Sequence, residues 1–278
     1  MDTVQRYQEF TRLLGEVIDL RRAAAVLQWD QEVLMPNKGG EARGRQLATM
    51  AALEHRMFTG DAMGEHLAAL EEALSDLDEE QQAVVRETAH DFRRATRLPE
   101  SLVQRFAEAQ SRAYMAWVEA RKNTDFAQFL PHLREMVALN QEKAECLGYG
   151  ESPYDALLDE YERGMTATAL RKLFDDLATR QSDLIGLIME SPNQPEDGWM
   201  RREWDTDAQL RFTEAVLRDM GYDFDAGRQD LAVHSFTTTF DIEDVRITTR
   251  LDKNDFLSAL SSSMHEGGHA LYEQGFPE

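Results

Sequence analysis

The chain has 278 residues, 42% hydrophobic and 29% charged, enough to bury a substantial core in one large helical domain or two modest ones. Its 52 acids against 30 bases give a formal net charge of −22, which excludes a surface built for nucleic-acid phosphates or anionic membranes, since those partners need a basic footprint. A single cysteine, Cys146, excludes an internal disulfide, and the start at Met1 lacks the basic flank and apolar core of a signal peptide, so a cytoplasmic protein is expected.

No apolar run approaches the length of a membrane span. Most of the sequence has helical period instead. Tyr7, Phe10, Leu14, Val17, Ile18 and Leu27 recur at three- and four-residue steps behind Thr3, the candidate cap. The stretch Met35-Pro36-Asn37-Lys38-Gly39-Gly40 breaks that helix. A second follows through Leu47, Met50, Ala51 and Met57, and a third through Met63, Leu67, Leu70 and Leu74. Leu98-Pro99-Glu100 starts another, with Pro at a tolerated first-turn position. Thr124-Asp125 caps a segment that ends at Leu147-Gly148. Ser152-Pro153 opens a helix closing near Gly164. Thr166 opens one whose stripe of Leu170, Leu173, Leu177, Leu184 and Ile188 is expected to be a core face. A charged loop, Ser191 to Trp204, leads to a short helix ending at Met220-Gly221.

The character changes near Tyr222. Residues 232–240 and 244–250 are rich in Thr, Val, Ile and Phe around an acidic turn and predict a β-hairpin. By alternation His234, Phe236, Thr238 and Phe240 share one face, and Asp244, Arg246, Thr248 and Arg250 another, opposite Val245, Ile247 and Thr249. A last helix begins near Asn254 or Asp255. The expected organisation is a helical region, 1–225, and a hairpin plus metal helix, 226–278, of the same, truncated catalytic domain.

That last helix carries His265-Glu266-Gly267-Gly268-His269, an H-E-x-x-H pattern. Two histidines four apart lie one above the other on one helix face, so their rings can converge on one ion, and Glu266 beside them is placed to deprotonate a bound water. A catalytic zinc takes three protein ligands plus water, and the motif supplies two. Glu273, a turn further on, would demand a span of about 12 Å from three bonds of about 2 Å. Glu278 is terminal, and Asp244 is not favoured by spacing. The third ligand is therefore expected to be absent from this chain. Residue spacing alone supports a helical zinc hydrolase of peptidase type, whose edge strand pairs with an extended substrate beside the metal.

Three stretches together resemble the carboxypeptidase Taq family of zinc metallocarboxypeptidases. Gln28-Trp29-Asp30-Gln31-Glu32-Val33-Leu34-Met35-Pro36, with Gly40, Arg43 and Gln46, is similar to the family's N-terminal signature. Asp244-Val245-Arg246-Ile247-Thr248 matches its D-x-R-x-T motif, and His265 to Gly275 its zinc helix. The family's His-Pro-Phe stands here as His234-Ser235-Phe236, which restores an N–H and frees a dihedral.

The resemblance implies a mainly α, long-helix, gluzincin-like architecture with a small sheet beside the H-E-x-x-H helix. It implies a homodimeric enzyme that removes single residues from peptide C-termini using Zn2+ or sometimes Co2+. It places the third ligand, a Glu, on a helix beyond this chain, which is by itself expected to be inactive or nearly so. His265 and His269 would be the metal ligands and Glu266 the catalytic base. His234, Asp244, Arg246 and Thr248 are candidate substrate-binding or site-supporting residues. Asp244 and Arg246 are expected to project toward the metal region, or else to form an ion pair fixing the sheet against the zinc helix. Trp29 and Asp30 are expected to be core and cap. An endo-acting oligopeptidase and a non-catalytic, partner-binding helical fragment are the competing readings.

Overall fold

The computed structural model describes residues 1–196, 198–200 and 202–276, so Glu278 lies outside the described residues. The chain is mainly α-helical with one small sheet. Helix α1 (Thr3–Val33) is capped by Asp2, whose carboxylate accepts the Gln5 N–H at 2.8 Å, one residue before the expected Thr3. Pro36 ends the approach, a 3-10 turn at Asn37–Gly39 reverses the chain, and α2 (Gly40–Phe58) begins. The corner is closed by Arg43, which reaches Asp30 at 2.6 Å and also donates to the Leu27 carbonyl.

Helix α3 (Asp61–Glu72) follows the expected stripe. Helix α4 (Glu79–Ala95) was not expected. Its buried face is narrow, Val85, Thr88 and Ala89, but Asp78 and Gln81 form a capping box that marks its start. Phe10, Val17, Phe58, Met63, Leu70 and Val85 from these helices make the first core.

Pro99 is the cap of α5 (Glu100–Asn123), in extended conformation, rather than a first-turn residue. Asp125 caps α6 (Phe126–Leu147), which ends at Gly148 with φ 75°. Helix α7 (Pro153–Leu158) stops short of Gly164 because Asp159 turns the chain, accepting the Gly164 N–H at 2.9 Å.

The expected core face of α8 (Ala167–Glu190) is not one. Leu173, Leu177, Leu184 and Ile188 are exposed, and no residue of this helix is buried among the described residues. A helical period shows which side is apolar but not what covers it.

Helix α9 (Thr206–Met220) leads into the sheet: β1 (Gly227–Leu231), β2 (Thr237–Asp241) and β3 (Asp244–Thr249), in the order β1-β3-β2. The expected hairpin is present, with Thr237 opposite Ile247 and Thr239 opposite Val245, but its first strand starts at Thr237, and residues 232–236 are a connecting leg. Strand β1, parallel to β3 from Gly227–Val245 to Leu231–Thr249, was missed. Its sequence Gly-Arg-Gln-Asp-Leu has no alternation to announce it.

The last helix, α10 (Phe256–Gln274), is capped by Asp255, which accepts the Ser258 N–H at 3.1 Å. Val245 and Ile247 of β3 join Leu217 of α9, Tyr222 and Ala270 of α10 in a second core. The other sheet face turns to α1, where Trp29 waits. No helix among the described residues is long and apolar enough to cross a membrane.

Candidate metal centre

Helix α10 buries Ala259, Ser263, Glu266, Gly267 and Ala270 against the sheet and α9. These positions trace one helical stripe, and His265 and His269 fall just beside it, exposed, with their rings free to converge. They do converge. The two Nε2 atoms are 3.2 Å apart, and the rings meet edge to face with centroids 4.8 Å apart. Two nitrogens bonded to one tetrahedral ion at about 2.0–2.1 Å would be separated by about 3.3 Å. The pair therefore fits a divalent metal of zinc size. Among the described residues no group of three His, Cys, Asp or Glu is arranged to hold one.

Glu266, the next residue round the helix from His265, is only 7% exposed. Its Oε2 accepts a hydrogen bond from the Thr237 hydroxyl at 2.7 Å. Thr237 was not among the residues singled out from sequence, since alternation cannot say which sheet face a helix covers. Gly267 lets α9 approach: a Cβ there would lie 2.4 Å from the Leu217 Cδ2.

Beside this pair opens a cleft of about 440 Å³ lined by His234, His265, Glu266, Arg121 and Arg250. The structure thus brings the expected His234 to the expected zinc helix, although no strand carries it. Its imidazole stands edge-on to Trp117 of α5, centroids 6.5 Å apart. Arg121, one turn on, stacks over Trp117 at 5.2 Å and donates to the Val233 carbonyl at 3.1 Å. Trp117 and Arg121 had no sequence signal, because only packing brings α5 to this cleft, and Arg250 was read from sequence as a strand-face residue with no site role. Thr248, fully buried, holds the same leg from below: its Oγ1 accepts the Phe236 N–H at 2.8 Å.

Asp244 and Arg246 do not face the metal region. Val245 and Ile247 take the face toward α9 and α10, so alternation turns Arg246 to the other side. There its guanidinium stacks over Trp29 at 4.5 Å and Phe240 at 4.9 Å. Asp244 accepts from it with both oxygens, at 2.7 and 2.8 Å. The ion pair exists, but it fixes the sheet to α1, not to α10. Trp29 is buried, and Asp30 is the partner of Arg43 rather than a helix cap.

The family model of the carboxypeptidase Taq (M32) metallopeptidases matches residues 9–278. Thermostable carboxypeptidase 1 of Thermus thermophilus is 38% identical over 98% of this chain and 56% of its own length. The M32 carboxypeptidase of Deinococcus radiodurans R1 superposes with a TM-score of 0.83 at 36% identity, over 98% of this chain and 54% of the other. The crystal structure of BsuCP gives 0.95 at 33% identity, over 99% and 55%. The chain spans about half the length of the curated relatives it matches.

Proposed function

The chain belongs to the carboxypeptidase Taq (M32) metallopeptidase family, and we propose on that premise that it contributes the metal helix and one wall of the cleft of a zinc carboxypeptidase acting on peptides. The convergence of the His265 and His269 Nε2 atoms, 3.2 Å apart beside a hydrogen-bonded Glu266, is the observation that carries this reading. Residues 1–225 and 226–278 are taken as parts of one catalytic domain, since the sheet seats on Trp29 of the first helix.

Zinc, or cobalt in its place, would polarise a water and stabilise charge developing on the scissile carbonyl. Glu266 would take the proton of the attacking water and pass it to the departing amine. Thr237 keeps that carboxylate aimed. His234 offers an imidazole across the cleft, and Arg121 and Arg250 give the cleft a cationic lining suited to a substrate's free carboxylate. The third protein ligand is proposed to come from outside these 278 residues, and a second copy of the protein is its proposed partner.

Titration with Zn2+ tests the metal reading. Binding should be weak in the native chain and fall at least about tenfold in His265→Ala and His269→Ala, while Glu266→Gln keeps it. Equal binding by all variants overturns the assignment. The isolated chain is expected to hydrolyse a blocked dipeptide slowly or not at all, and an appreciable metal-dependent rate would contradict that. Mass spectrometry of products from a free peptide separates loss of one C-terminal residue at a time, the proposed activity, from the internal cuts of an oligopeptidase.

A further inference from the structure

A second opening, of about 530 Å³, lies between α1, α2, α5 and α6. Its walls are largely apolar and aromatic: Ala24, Met50, Tyr114, Trp117 and Phe129 line it. The charged and polar groups inside are mostly spoken for. Arg21, the one cation among the described lining residues, is held by Glu54 at 2.6 Å. Gln31 and Ser111 satisfy each other at 2.7 Å. Glu32 differs. It is half-buried, and no ion pair reaches it among the described residues. Burial pushes its carboxyl above the usual range. The Tyr114 hydroxyl beside it is pushed up to about 12, first by its own burial and then by the Glu32 charge.

A carboxylate set among aromatic rings without a counter-charge is an incomplete arrangement: desolvation penalises its charged form, and a cation beside it offsets that penalty where a proton would otherwise be taken up. Ring faces attract cations, and the apolar walls reward a hydrocarbon stem. We infer that this cavity binds an alkylammonium or alkylguanidinium group on an apolar stem, with Glu32 as its counter-ion and Tyr114 and Trp117 as its aromatic walls. Trp117 lines this cavity, and its ring stands edge-on to His234, which lines the metal cleft, with centroids 6.5 Å apart. The group is accordingly assigned to a lysine or arginine side chain of a peptide; that assignment rests on the peptidase reading, whereas binding of the cation does not.

Calorimetric titration of the 278-residue protein with n-pentylamine and with its neutral isostere n-pentanol tests the site. The amine should bind at least about tenfold more tightly than the alcohol, and Glu32→Gln should remove that preference. Circular dichroism and the melting temperature of the variant confirm that it folds, and the amine-to-alcohol ratio in the native chain stands without it. Absence of amine binding, equal affinity for the alcohol, or an unchanged preference in a folded Glu32→Gln protein overturns the site. A blocked tetrapeptide carrying lysine should displace pentylamine while its norleucine analogue does not. Amine binding without such displacement keeps the cation site and overturns its assignment to a peptide side chain.

Discussion

The Thr237 hydroxyl lies 2.7 Å from the Oε2 of Glu266 and 3.0 Å from the backbone oxygen of the same residue, so one strand side chain meets α10 at the acid of its H-E-x-x-H pattern. A hydroxyl has one proton, and the carboxylate is the stronger acceptor. Thr237→Val would leave a nearly buried carboxylate without its donor. The expected loss is about 1–3 kcal/mol in urea unfolding, with Thr237→Ser close to the native chain. Equal stability of the valine and serine variants would remove Thr237 from this role.

Arg246 ties the sheet to the first helix through Trp29 and holds Asp244 with two parallel bonds. Lysine keeps the charge but neither the fork nor the planar stack. Arg246→Lys should therefore cost about 1–2 kcal/mol of unfolding free energy. A thermal melt indistinguishable from the native one would show that the D-x-R-x-T motif matters for something other than this clamp.

Gly227 begins β1 where the backbone passes Tyr222. A Cβ there would meet the Tyr222 hydroxyl at 2.1 Å and the Val245 carbonyl at 2.2 Å. Tyr222 is buried, and its hydroxyl donates to the Val245 carbonyl at 2.6 Å. Gly227→Ala should push β1 off β3 and cost about 3 kcal/mol or more, against about 1 kcal/mol for Tyr222→Phe. Hydrogen exchange of the β3 amides reads the difference, and protection that survives Gly227→Ala would disprove the close approach.

Asp159 has its carboxyl held below the usual aspartate range, chiefly by the Gly164 N–H and further by Arg94 and His90. A folded pKa below the unfolded one stabilises the fold above the ordinary value of about 3.9, and that stability is lost as pH falls through the lowered folded value. Asp159→Asn should flatten the acid limb of the stability curve while costing about 1 kcal/mol at neutral pH. Parallel acid limbs for the two proteins would rule out Asp159 as a contributor.

The parts of the site legible in sequence were those set by local geometry. His265, Glu266 and His269 share a helix, and 3.6 residues per turn fixes their spacing whatever surrounds them. The hairpin turn and the caps at Asp125, Ser152 and Thr166 were readable for the same reason. Strand β1 was not, because its partner β3 lies beyond the connecting leg and β2, and parallel pairing leaves no local mark. Alternation correctly divided Arg246 from Ile247 but could not say which face would meet the metal helix.

By itself, then, the sequence determined a helix-rich chain and a pair of imidazoles one turn apart, since both follow from the period of the backbone. Only the tertiary structure decided that Thr237 holds Glu266, that Trp117 and Arg121 wall in His234, and that Arg246 clamps Trp29. Each of those contacts joins segments far apart in the chain, and their meeting is set by how helices and sheet pack rather than by any residue's neighbours in sequence.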